Sequence, residues 1–242
     1  MPDGSDLLDR LRSALLEAGL GPTRLDIAPA DDPEGRTLAA ALVLLYPHQL
    51  PAALGSVDGV PHLVLTRRTT ALRRHSGQIS LPGGRYDAED GSLLRTALRE
   101  TEEELGVDPA ALTIWGRLEL EHIVASHYAL APFVAYTPRR PEFRPAPAEV
   151  AEVIDLPLAQ ILNPAVLEEE LWDFQGTPRR VSFYRHVEHK IWGATARILH
   201  QIATLLDPAL ADAGTFAGAG GEIGRRLAPG DTWPRSVRPG SP

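Results

Sequence analysis

The stretch LRETEEELG, residues 98–106, sets Glu100, Glu102, Glu103 and Glu104 within five positions, just ahead of a glycine. It reads as the end of a helix that Gly106 stops. Anions at a helix C-terminus oppose the macrodipole, and like charges three or four residues apart cost roughly 0.2–0.5 kcal/mol per pair. At about 100° per residue, Leu94, Ala97, Leu98, Thr101 and Leu105 form the face that buries, Glu100, Glu103 and Glu104 share another arc, and Glu102 points away from both. Three carboxylates converging on one turn call for a cation, and hard oxygen ligands favour Mg²⁺ or Mn²⁺. Arg99 precedes the first of them and can pair with it. The helix alone would suit a solvated acidic face equally well.

The upstream residues change that balance. In LPGGRYDAEDGS, Gly83 and Gly84 make a tight loop where backbone can approach a metal or phosphate closely. Gly-Gly, then Arg-Glu fifteen residues on, then Glu-Glu and Gly, resembles the signature of the Nudix hydrolases. The resemblance implies an α/β fold, an α/β/α sandwich around a mixed β-sheet, in which a loop–helix–loop holds divalent metal against a diphosphate. Carried over by position, Gly84 is the first signature glycine, Arg99 and Glu100 are the Arg-Glu pair, and Gly106 closes the motif. Glu103 and Glu104 are the principal metal-binding pair, and Gly83 would offer its carbonyl to the metal. The spacing from Gly84 to Arg99 is one residue longer than in the general signature, so the early signature glutamate is replaced by Gly91 or Asp90. Asp90 either serves in its place or caps the helix.

Before the glycines lies VLTRRTTALRRHSGQISLPGG, residues 64–84, with Arg67, Arg68, Arg73 and Arg74. In isolation it reads as a solvated charge run. Running into the acidic helix, it resembles the LTxR(S/T)xxxRxxxGQxxxPGG pattern of the coenzyme A pyrophosphatase branch of the Nudix family. Arg68, Arg73, Gly77 and Gln78 match, with Leu81 where the branch usually has Phe. That branch also carries the longer spacing, with aspartates at the positions of Asp87 and Asp90. The later segments EVAEVIDLPLAQIL and IWGATARIL resemble the same branch. The resemblance spans roughly residues 38–200. Coenzyme A carries a diphosphate and a 3′-phosphate, and arginine forks recognise phosphate oxygens bidentately. His75, in RRHSGQ, is a further phosphate contact to consider.

The resemblance implies metal-assisted hydrolysis of a phosphoanhydride, with Glu100, Glu103, Glu104 and Arg99 as catalytic residues and Mg²⁺ or Mn²⁺ as cofactor. Arg68, Arg73, Gly77, Gln78 and Gly84 would bind substrate, and coenzyme A would give 3′,5′-ADP and 4′-phosphopantetheine. The general base is a helix glutamate or a carboxylate from a later loop, with Glu149 and Glu152 in PAEVAEV the weaker candidates. Two rival readings stand beside this one. One is a Nudix enzyme for NADH, ADP-ribose or a nucleoside triphosphate. The other is an inactive Nudix module that senses a ligand.

Composition narrows the partners. Over 242 residues the formal net charge is −8, which disfavours a general nucleic-acid binder. No cysteine is present, so thiolate chemistry and disulfides are excluded. No apolar run approaches 18 residues, and the N-terminus has no signal-like core, so the expected location is the cytoplasm without a membrane partner. The expected partner is a small-molecule substrate, with a homodimer left open.

The elements that must position these groups fall into three zones. Residues 1–35 form an N-terminal helical extension, with Ser5 expected to cap DLLDRLRSALLEAG. Residues 36–206 form the catalytic domain, with strands in TLAAALVLLY, HLVLTRR, LTIWGRLEL and YALAPFVAY and helices over 92–105 and 191–206. Residues 207–242, rich in Ala, Gly and Pro, read as a flexible tail.

Overall fold

Residues Ala39–Leu45 carry no polar side-chain atom, and the strand they form is buried on both faces. Within β1 (Thr37–His48), Ala41, Val43 and Leu45 enter one apolar cluster, while Ala40, Leu42, Leu44 and Tyr46 enter a second. This alternation is the two-residue period of a strand with a layer packed on each side. The computed structural model describes residues 4–25, 35–48, 59–70, 77–123, 127–174, 176–214 and 225–226.

The helices are α1 (Gly4–Glu17), α2 (Leu93–Leu105) and α3 (Gly193–Leu206). After β1 come β2 (Val60–Arg68), β3 (Ile79–Ser80), β4 (Gly83–Arg85), β5 (Thr113–Arg117), β6 (Glu121–Ile123) and β7 (Tyr128–Tyr136). They are followed by β8 (Val150–Pro157), β9 (Leu167–Phe174), β10 (Thr177–His186), β11 (His189–Ile191) and β12 (Arg225–Arg226). The main sheet runs β3-β2-β1-β7-β5, with β4 paired to β1, β6 to β7 and β8 to β2. The β1–β7 pair is parallel and the other pairs are antiparallel, so the sheet is mixed. A second, antiparallel sheet has the order β11-β10-β9-β12.

Helices cover both faces of the main sheet, which makes the expected α/β/α sandwich. Leu7, Leu11 and Leu15 of α1, four residues apart, join Ile198, Leu199 and Ile202 of α3 in the first cluster. The α1–α3 contact is fastened by Arg10, whose guanidinium donates to the Leu206 carbonyl at the end of α3, 2.9 Å away. Thus α1 packs into the same core as the rest of the sandwich. Leu93, Ala97 and Leu105 of α2 join the second cluster on the opposite face. Because α1 begins at Gly4, Ser5 lies inside the first turn and not at the cap.

Of residues 207–242, Pro208–Leu210 form a single 3₁₀ turn, and Arg225–Arg226 pair with β9 opposite Asp173 and Trp172. The rest of the segment read as a tail, from 215 on, lies outside the described residues. Among the described residues no helix is long and apolar enough to cross a membrane.

Candidate active site

The site is framed where β4 crosses β1. Ala39, Ala40 and Ala41 pair with Arg85, Gly84 and Gly83, and the alanines facing the two glycines let the backbones come together. Gly83 has φ +152°, and a Cβ there would lie 2.3 Å from the Ala40 carbonyl oxygen. Gly84 faces the other way: a Cβ would sit 2.3–2.5 Å from the carboxylate atoms of Glu100. The two glycines therefore have different reasons. The first lets β4 dock, and the second leaves room for an acidic side chain.

Ser92 starts α2, its hydroxyl accepting from the Arg95 amide at 3.3 Å, and Gly106 ends it at φ +67°. Asp90 does not cap this helix. It closes the preceding turn, accepting from the Asp87 amide, and binds the Arg99 guanidinium through both oxygens at 2.7 and 3.0 Å. These Arg99 hydrogen bonds, with help from Thr96, hold the buried Asp90 carboxyl down at about 2. The remaining Arg99 amine donates to Glu100 and Glu103, each at 2.9 Å. One arginine thus offsets charge on three carboxylates.

The glutamates differ in exposure. Glu102 is exposed, as expected, and Glu103 is 57% exposed, whereas Glu100 is half-buried. Glu104 departs from the polar arc expected of it. It follows Ala97 and Thr101 at three- and four-residue spacing and is only 3% exposed. Its Oε1 lies 3.6 Å from an Arg68 amine, while its Oε2 is buried with no hydrogen-bond partner. Burial pushes the Glu104 carboxyl up to about 8 against the pull of Arg68, and burial also raises Glu100. A buried, unpaired carboxylate oxygen beside a second half-buried carboxylate is a donor set that fits a hard divalent cation.

The loop before β8 brings a fourth carboxylate here. Its Arg144 and Ala146 amides donate to the last carbonyls of α2, those of Leu105 and Glu104, at 2.7 and 2.9 Å. The Thr69 amide then donates to the Glu149 carbonyl at 2.9 Å, tying the loop to the end of β2. Glu149 is exposed, and its charge contributes to raising both Glu100 and Glu104. Glu152, one strand turn on, is not brought to the site. It is held by Arg67 at 2.7 Å and His189 at 3.1 Å, which leaves it in a separate ion cluster.

Arg68 ends β2, and its amide donates to the Gln78 carbonyl at 3.0 Å, so Gly77 and Gln78 close the hairpin beside it. Arg73 and His75 lie outside the described residues. Arg68, Gln78, Gly83 and Gly84 border a cavity of about 380 Å³ on the α3 face of the sheet. The carboxylates of α2 are not among its walls, but the Glu100 carboxylate sits directly against Gly84, which is one of them. Its other walls come from residues that sequence reasoning passed over, among them Ile123, Tyr128, Leu130, Trp192 and Ile198. The one available signal was the IWGATARIL segment, whose Trp192 precedes the helix start; the apolar strand residues carry no motif.

The NUDIX domain model matches residues 50–179. A protein called NudL, an uncharacterized Nudix hydrolase of Photorhabdus laumondii, is 38% identical over 143 residues, covering 59% of this chain and 76% of that one. Nudix hydrolase 22, chloroplastic, of Arabidopsis thaliana is 35% identical over 158 residues, covering 62% of this chain and 51% of that one. Among solved structures, the Nudix hydrolase RenU of M. smegmatis matches 52% of this chain and 73% of its own, at 21% identity and a TM-score of 0.41.

Proposed function

From the premise that the chain belongs to the Nudix hydrolases, enzymes that cleave pyrophosphate bonds, we propose that it is a coenzyme A diphosphatase. The products would be 3′,5′-ADP and 4′-phosphopantetheine, or its acyl form, and the reaction would run in the cytoplasm. The observation that carries the reading is the position of Arg68. It ends β2 against the buried Glu104, borders the cavity, and leads directly into the arginine segment with Arg73. Arginine there meets a substrate richer in phosphate than a simple dinucleotide.

Glu100, Glu103, Glu104 and the Gly83 carbonyl would hold Mg²⁺ or Mn²⁺. Bound there, such an ion offsets diphosphate charge and makes water a better nucleophile near neutral pH. The protein's own groups supply the rest. Arg99 orients Glu100 and Glu103, and Asp90 fixes Arg99. Glu149, exposed beside Glu100 and Glu104, takes the proton of the attacking water. Water adds to one phosphorus, the bridging P–O bond breaks, and the departing phosphate oxygen leaves with charge that Arg68 offsets.

The test is hydrolysis by the purified protein with Mg²⁺ or Mn²⁺, products separated by chromatography. Coenzyme A should give 3′,5′-ADP, faster than NADH or ADP-ribose gives AMP. Glu104→Gln should lower kcat by ~10²–10³, the usual scale for lost charge stabilisation. Turnover of NADH or ADP-ribose alone would leave a Nudix hydrolase with a different substrate. Turnover of none would leave a ligand-sensing module.

A further inference from the structure

The cavity has two unlike ends. On one side stand Arg68 and Gln78, at the junction of β2 and β3; on the other stand Ile123, Tyr128 and Leu130 of β6 and β7. Between them β4 and β1 form the floor, because β4 pairs with one edge of β1 and β7 with the other. Neighbouring strands lie about 4.8 Å apart, so the two sides are roughly 10–15 Å from each other. The roof is α3, pinned at both sides. Near its start the Thr195 hydroxyl donates to the Ile79 carbonyl at 3.2 Å, and further on Arg197 and Gln201 bind Glu121 at 2.6 and 2.7 Å. Those last three polar side chains bind one another and are not part of the lining, which at this end includes Ile198.

We propose that the apolar end, walled by Ile123, Tyr128, Leu130 and Ile198, is the subsite for the uncharged arm of the substrate, so that selectivity rests on that arm and not on the nucleobase. The inference rests on the coenzyme A reading. A phosphate pushed against this wall would lose its hydration without gaining a partner. The phosphate-bearing nucleotide half therefore belongs with Arg68. What remains is a neutral chain of methyl, methylene and amide groups, which buries well against aliphatic side chains and leaves the Tyr128 hydroxyl for an amide. The cavity volume of about 380 Å³ falls at the small end of ligand sites.

Product inhibition of coenzyme A hydrolysis separates the two halves of the substrate. In Ile123→Ser the inhibition constant of 4′-phosphopantetheine should rise about tenfold while that of 3′,5′-ADP stays within about twofold, the scale of a lost apolar contact. Tyr128→Ala should show the same split, and melting temperatures of both variants check the fold. If Ile123→Ser does not fold, Tyr128→Ala decides. A rise for 3′,5′-ADP alone would put the nucleobase in this end and overturn the proposal. Equal rises, or none, would overturn it too, since the wall would then be merely structural. If wild type hydrolyses coenzyme A but the variants show no split, only the subsite falls. Wild-type protein that leaves coenzyme A intact sinks the substrate reading and the subsite together.

Discussion

Arg99 makes the acidic turn tolerable, and Asp90 decides how rigidly it does so. The Asp90 carboxyl is buried and bound at both oxygens by a guanidinium that also touches Glu100 and Glu103. Its folded pKa of about 2 lies below the free value of roughly 3.9. A depressed acid stabilises the fold above the free value, and that contribution disappears as pH falls through the folded one. Urea unfolding should therefore show wild type losing roughly 2 kcal/mol more than Asp90→Asn between pH 5 and pH 2. The variant, already without the charge, starts lower and has a flatter profile. Equal acid sensitivity in the two proteins would remove Asp90 from this role.

At the scale of elements, β4 and α2 place the carboxylates, and the two glycines of β4 offer separate tests. Gly84→Ala pushes a methyl into the Glu100 carboxylate, the far end of a flexible side chain that can swing aside. The fold should survive and kcat should fall ~10²-fold as Glu100 leaves its place. Gly83→Ala meets the Ala40 carbonyl and the Ala41 Cα, which cannot move without lifting β4 off β1. That variant should lose melting temperature first. The reverse ranking would mean that the roles of the glycines have been exchanged.

Much of this frame is legible in the sequence. The strands of TLAAALVLLY and YALAPFVAY, the helix over 92–105 with its Gly106 stop, and the sandwich they build all stand as read. The β9–β10 hairpin does not show itself, for a physical reason. LEEELWDF looks like a solvated acidic run until its partners arrive on the next strand: Glu168 with Arg185, Glu169 with Arg180, and beyond the hairpin Glu170 with Lys190. Cross-strand pairing supplies what local pattern lacks. Glu104 is hidden in the same way. Helical periodicity sorts residues by type, and a glutamate that shares a face with Ala97 and Thr101 is assigned to water unless its tertiary neighbours are known. The placement of Glu149 near the site also depends on a loop tied to α2 and β2, contacts that are remote in sequence.

The whole molecule divides its work between the two faces of one sheet. The carboxylates belong to α2 and the apolar end of the cavity lies under α3, while Gly84 of β4 and Arg68 of β2 border the cavity and also meet Glu100 and Glu104. Stability from the α1–α3 layer should therefore be separable from the response to metal. Burial raises the Glu104 carboxyl to about 8, so in metal-free protein its ionised form costs stability that grows as pH rises from roughly 4 to 8. A divalent cation that binds only the folded site relieves that cost and adds its own mass-action term. Differential scanning at pH 8 should show Mg²⁺ or Mn²⁺ raising the melting temperature of wild type and of Leu11→Ala by the same increment. The latter should start lower by ~2–5 kcal/mol for its core cavity, Leu11 being fully buried between the helices and the sheet. Glu103→Gln/Glu104→Gln should melt no lower than wild type without metal and should lose the increment. The same increment in the double variant would place the cation away from α2, and the catalytic reading of its three carboxylates would fall with it.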